Sequence, residues 1–162
     1  MGTLQTCAIL GSSIANNLHL IRNIVDYAQT GIRPVAVLAL YQVKAFDRVS
    51  HKYLFAALSA FRFGDDFIRW IRMCYAQRTS QVIVNGFLLE SIAIIHSIRQ
   101  CCGLSALLYV LCIEPFVHRV RIDPYIVGLA FPGAPDEVRV SQYADDAIVC
   151  TDLSVNQLFY IA

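Results

Sequence analysis

Charge is the scarcest property of this chain. Only 15% of its 162 residues are Asp, Glu, Lys or Arg, against roughly 25% in an average soluble domain. The net charge is +1, which excludes the strongly basic footprint of a self-sufficient nucleic-acid binder. Any grip on nucleic acid must come from local groups or from a part of the protein lying elsewhere. A membrane-length apolar run is also lacking. The charge-free stretch "QCCGLSALLYVLCI", Gln100 to Ile113, is shorter than the ~18 residues of a span and reads as a buried core helix. The start, "MGTLQTCAIL", has neither the basic residues nor the long apolar segment of a secretory signal, so an intracellular location without membrane contact is the expectation. The six cysteines, Cys7, Cys74, Cys101, Cys102, Cys112 and Cys150, contain no CxxC pair or histidine spacing, which excludes an obvious zinc site and leaves reduced, mostly buried thiols. No repeat, low-complexity tract or internal domain boundary is visible.

Apolar side chains make up 57% of the chain, enough for one domain with a real core, and their spacing divides it into elements. Ile14, Leu18, Ile21, Ile24, Val25 and Tyr27 recur at helical spacing behind Ser12 or Ser13, either of which can cap the first turn. Gly31 and Pro34 end that helix, and "VAVLALY", Val35 to Tyr41, reads as a strand buried on both faces. Ser50 can cap a helix through "HKYLFAALSAF", and "DDFIRWIRMCYAQ" after Gly64 gives another with acids in its first turn. Asn85-Gly86 between two extended runs predicts a hairpin. Ser105 opens a helix to about Arg121, expected to kink or break at Pro115. Strands are expected at "IVGLAF", "EVRVSQY" and "AIVCT", with a turn at "PGAP" and a reversal at "ADD". The sum is an α+β architecture, a central antiparallel sheet flanked by helices.

Three stretches can carry chemistry. Asp145 and Asp146 sit at the reversal between two strands. An adjacent acidic pair is on its own equally a solvated turn, but phosphoryl-transfer metals need hard carboxylate ligands on a rigid support, which a turn between core strands provides. In "RQCCGLS", Arg99 and Gln100 can donate to a ligand beside a helix N-terminus that favours anions; a plain loop and cap is the alternative. In "YQVKAFDRVSH", Phe46 beside Asp47 can be a core aromatic or a substrate gate.

In order and spacing, "KAFDRV", "RQ-C-LS-LLY" and "YADD" resemble the palm motifs of reverse transcriptases, specifically those of LINE-type (non-LTR) retrotransposons. The resemblance extends to "QTCAILGSSIANNLHLIRNIVDYA", "SHKYLFAALSAFRFG", "VNG" and "LYVLCIEPF", nearly the whole chain. It implies a right-hand polymerase palm with part of the fingers: residues 1–35 as fingers and palm lead-in, 36–162 as palm. The basic upper fingers and the thumb are expected outside these residues. It further implies templated DNA synthesis with two metal ions, Mg2+ or Mn2+, and RNA template, DNA primer and dNTP as partners. Asp145 and Asp146 become the catalytic and metal-binding pair, Phe46 the gate that rejects a ribose 2′-hydroxyl, and Arg99 and Gln100 nucleotide-seating residues.

The same resemblance marks departures. The family's first-motif aspartate, three residues before the "KAFD" lysine, is Tyr41 in this chain, and a neutral phenol is a poor magnesium ligand. Asp47 is an ordinary member of the motif, lying past the gate. The arginine of the family's "GRS" is Ser12 and the aspartate of its "DN" is Asn16, while "RQGCPLSP" reads "RQCCGLSA", with Cys101 for a glycine that lets the backbone approach a ligand. An inactive, truncated palm is therefore the expectation. The alternatives are a retained non-catalytic RNA- or protein-binding module and an active polymerase with an unusual first motif. Uncovered apolar surface would favour self-association.

Overall fold

The computed structural model describes residues 6–7, 9–30, 34–99, 102–131 and 136–153. Gly31, the "PGAP" turn, Gln100 and Cys101 lie outside the described residues. In chain order the elements are α1 (Ile14–Gln29), β1 (Val35–Tyr41), α2 (Ala45–Arg48), α3 (His51–Ala60) and α4 (Asp65–Tyr75). Four short strands follow, β2 (Thr79–Ser80), β3 (Ile83–Val84), β4 (Phe87–Leu88) and β5 (Ile92–Ala93), then α5 (Gly103–Ile122), β6 (Val140–Tyr143) and β7 (Asp146–Asp152). These assemble as two compact units, Met1–Val43 with Ile113–Ala162, and Lys44–Cys112, at seams that hydropathy does not mark.

The first unit is built on an antiparallel sheet of order β1-β7-β6. Alternation divides the sheet's side chains between two faces. On one, Val35, Ile148 and Cys150 meet Leu20 and Ile24 of α1. On the other, Leu40, Val140 and Val149 meet Val117 and Val120 of α5. Burying a side chain such as Ile24, only 2% exposed, contributes about 1.5–3 kcal/mol. Helix α1 starts where the Ser13 N–H donates to Asn16 Oδ1 at 2.8 Å, one half of a capping box.

Two sequence expectations need correction in this unit. Strand β1 is not buried on both faces: Val37 is 48% and Leu38 38% exposed, because among the described residues β1 pairs only with β7 and forms a sheet edge. Nor is "IVGLAF" a strand, since among the described residues its only ladder contact is the single bridge Leu129↔Val138. Its polar groups turn elsewhere: the Val127 carbonyl accepts from the Asp152 N–H and the Thr151 hydroxyl, and the Gly128 N–H donates to Glu137. Gly128 is itself required, because a Cβ there would lie 2.6 Å from Arg139 Cγ and 2.9 Å from the Val138 carbonyl oxygen.

In the second unit, Ser50 Oγ accepts the Tyr53 N–H at 3.1 Å and caps α3, whose buried Leu54, Ala57 and Leu58 join Ile68, Ile71 and Tyr75 of α4 in its core. The hairpin forms as expected: Asn85 (φ 50°) and Gly86 (φ 84°) both take the left-handed conformation that a two-residue type I′ turn demands.

Helix α5 opens at Gly103, two residues before Ser105, and runs through Pro115 without a break. Proline removes the backbone donor that would reach the Leu111 carbonyl four residues back, and the neighbouring Cys112 carbonyl accepts from the Tyr53 hydroxyl at 2.8 Å. By length and apolarity alone α5 would suffice to cross a membrane. Its buried Leu108, Tyr109, Val110 and Val117 and the ion pair of Arg121 with buried Glu114 are features of a core helix.

Candidate functional site

The end of β1 meets the start of β7. Tyr41 is the direct cross-strand partner of Asp146, and Tyr143 of β6 pairs with Asp146 from the other side. Cross-strand partners point to the same face, so tyrosine, aspartate and tyrosine form one lateral row at the sheet edge. Tyr41 is 77% exposed and Asp146 is also exposed, whereas Asp145 is half-buried. A cavity of about 300 Å³ opens beneath the row, between the sheet and α1, lined by Tyr41, Tyr143 and Asp146 at one end and by Ile14, Leu18 and Ile21 along the helix.

The turn that presents the acids is tight. Ala144 and Asp145 alone connect β6 to β7, with Ala144 at φ 52°, a left-handed conformation that favours glycine and costs an alanine about 1–2 kcal/mol. Its surroundings hold it there. Gln142, fully buried, donates from Nε2 to the Ala144 carbonyl at 2.7 Å. Beside it, buried Thr6 donates its hydroxyl to Asn17 Oδ1, Asn17 Nδ2 donates to Ser141 Oγ at 2.7 Å, and the Thr6 N–H donates to the Gln142 carbonyl at 3.1 Å. Cys7 adjoins the same turn: burial pushes its thiol up, the Ala144 backbone pulls it down, and the Asp145 charge raises it.

Tyr143, Asn17 and Gln142 were not singled out from sequence. Asn17 carried a readable signal, a polar side chain among the apolar positions of an amphipathic helix, which a buried partner must satisfy. Tyr143 and Gln142 gave none beyond their place before the acidic pair.

The remaining candidates belong to the second unit. Phe46, half-buried, stacks on buried Tyr109 with ring centroids 4.4 Å apart and an interplanar angle of 23°, so its ring is fixed. Asp47 accepts a hydrogen bond from the Ser97 hydroxyl at 3.1 Å. Arg99 is exposed. Gln100 and Cys101 lie outside the described residues. Cys102 stands exposed just ahead of α5, its thiol pulled below the ordinary value by the Leu104 backbone, the Ser105 hydroxyl and the Arg99 charge. That combination marks this helix start as favouring negative charge.

A pair of divalent ions needs hard anionic oxygens. In the first unit the row offers Asp145 and Asp146 from one turn and a phenol from the facing strand, and among the described residues no group of three or more His, Cys, Asp or Glu side chains converges on a point. That donor set does not fit a two-ion centre.

Two comparisons bear on this geometry. The profile of the family described as reverse transcriptase (RNA-dependent DNA polymerase) matches residues 4–157. The chain is also similar to the "Transposon TX1 uncharacterized 149 kDa protein" of Xenopus laevis, 37% identical over 145 residues, which covers 90% of this chain and 11% of that protein. The chain thus spans about a tenth of the length of that relative. With an antiparallel sheet between helices, an acidic turn between β6 and β7, and a family match over nearly its whole length, the chain belongs to the reverse transcriptase family, as a palm-like domain of a transposon-related protein.

Proposed function

We propose that this chain is a catalytically silent reverse transcriptase palm descended from a LINE-type retrotransposon. The observation that carries this reading is the pairing of Tyr41 with Asp146: the strand end where the family has its first-motif aspartate offers a phenol to the acidic turn. In active relatives the metal ions lower the cost of in-line attack by a primer 3′-hydroxyl on a dNTP. Here Asp145 and Asp146 retain the carboxylates of the third motif, and Phe46, fixed by Tyr109, retains the bulk of a gate against a 2′-hydroxyl. On this reading the third-motif acids and the gate remain, while the opposing ligand is gone. Losing even an outer partner of a metal ligand costs roughly 10–100-fold, and a direct ligand costs more.

The test is primer extension on an RNA template, with magnesium and then manganese, by a full-length active relative whose palm segment is replaced by this chain. Two chimeras are compared, one carrying Tyr41 and one carrying Tyr41→Asp, beside the unmodified relative. Silence with Tyr41 and extension with Tyr41→Asp is the expected result. Extension by the Tyr41 chimera would show that Asp145 and Asp146 suffice and would overturn the reading.

A further inference from the structure

The cavity between α1 and the sheet is lined in layers. Its floor is the row Ala39, Ile148 and Ser141, the next residues inward on the sheet face that carries Tyr41, Asp146 and Tyr143. Two of these three side chains are small, which leaves the space of about 300 Å³ that Ile14, Leu18 and Ile21 of α1 close over. Ile14 and Leu18 are 51% and 59% exposed, so apolar surface faces this space unfilled, whereas Ile24 is buried against Cys150 further along the helix. At the inner end the polar groups are already matched, since Asn17 Nδ2 donates to Ser141 Oγ at 2.7 Å. The interior therefore offers chiefly apolar contact, with a volume at the lower end of the range for small-molecule sites.

The outer end differs. Asp146 is exposed and, among the described residues, makes no ion pair. Tyr41 and Tyr143 are its cross-strand partners on either side, and such partners have Cβ atoms about 4.5–5.5 Å apart. A cation on this carboxylate thus lies within reach of two aromatic rings, whose faces attract it out to about 6 Å from the centroid. Magnesium keeps its water and seeks hard oxygens, so phenol rings add little to its binding. An alkylated ammonium ion gains from carboxylate and rings together. Ile14 also brings the positive end of α1 near, but that partial charge of roughly one half is outweighed by the full charges of Asp146 and the adjacent Asp145.

The order of the layers selects the kind of molecule. Charge stands at the open end and apolar surface inside, so an occupant enters apolar end first and leaves its cation at the mouth. A lysine side chain or a choline headgroup would enter charge first, against that order.

We infer that the cavity between α1 and the sheet binds a small organic ammonium ion with an apolar body, Asp146 holding the ammonium between the rings of Tyr41 and Tyr143 while the body lies against Leu18 and Ile21. Tyr41 is thereby a binding residue in its own right, with or without polymerase activity in the chain.

The test is an amide NMR titration of the full chain with benzyltrimethylammonium, with thermal melting as the check on folding of each variant. The probe should shift the amides of Tyr41, Tyr143 and Asp146 and bind about fivefold or more tightly than 2-phenylethanol, 3-phenylpropanoate or tetramethylammonium. Asp146→Asn should erase the preference over the alcohol. Tyr41→Leu should weaken the probe about threefold, and Tyr41→Phe should keep its affinity within about twofold, because the ring and not the hydroxyl makes the contact. Ala39→Leu, which fills the floor, should exclude probe and alcohol alike. Equal binding of the alcohol, tighter binding of the carboxylate or of tetramethylammonium, or shifts confined to other parts of the chain would each overturn the inference. So would indifference to Ala39→Leu in a folded variant, or release of the probe by Mg2+ but not by NaCl of equal ionic strength, which would return Asp146 to a metal.

Discussion

Tyr41 and Asp146 occupy facing positions at the end of the β1–β7 pair, so one substitution decides whether carboxylates converge there from two strands or from one. Tyr41→Asp should raise Mn2+ affinity by at least roughly tenfold, the scale on which a lost contact to a metal is felt. Paramagnetic resonance titration of free Mn2+ measures it, and adding Asp145→Asn should abolish the gain. An unchanged titration would remove Tyr41 as the cause of any defect.

Ala144 stands at φ 52° in the turn, where glycine carries no side-chain penalty. Ala144→Gly relieves about 1–2 kcal/mol of left-handed strain and gives back roughly 0.5–1 kcal/mol in chain entropy. A net stabilisation of about 0.5 kcal/mol is expected in urea unfolding. A destabilised variant would mean that the methyl group packs usefully.

Gly128→Ala is the converse case. The new methyl would press on Arg139 and on the Val138 carbonyl, and overpacking of this kind costs about 1–3 kcal/mol. Arg139 has little freedom to yield, because its guanidinium donates to the carbonyls of Arg121 at 2.7 Å and Asp123 at 3.1 Å and closes the C-terminal end of α5. The midpoint of urea unfolding should fall, and an unchanged midpoint would show that the side chain shifts freely.

The thiols predict a pH profile. Burial pushes Cys112 up to about 12 and Cys150 up to about 11 from an ordinary 9.0. Both values are raised in the folded state, so the stability they contribute is fully present below about pH 9 and is lost as pH climbs through 11 and 12. Melting temperature should decline above pH 9, and less steeply once both cysteines are replaced by alanine. At neutral pH, Cys102 should react with a disulfide reagent before any buried thiol does. Rapid modification of Cys150 in the folded chain would contradict its burial.

Much of this was legible in the sequence because it is local. Helical spacing located α1 from Ile14, the Ser50 cap located α3, and Asn85-Gly86 fixed the hairpin. The bounds of β1 were readable from its apolar run, but its burial was not, since that depends on which strands stand beside it. The alternation of "IVGLAF" was misleading: the close approach at Gly128 and the bonds made by Val127 redirect the backbone after one bridge. The candidate site was half legible. The resemblance pointed to Tyr41, yet only strand register shows that its partner is Asp146 and that Tyr143 flanks it, because those positions come from distant parts of the chain.

That distance has a consequence for how the molecule is made. Val35 pairs with Asp152, and among the described residues β1 has no other strand neighbour. During synthesis an apolar strand therefore leaves the ribosome well before its partner β7 and waits, unpaired, through translation of the whole second unit. Closing so long a loop delays the pairing further. The nascent chain should depend on chaperones that shield extended apolar segments, and the abundance of the folded domain in a cell should follow their capacity as closely as its own stability.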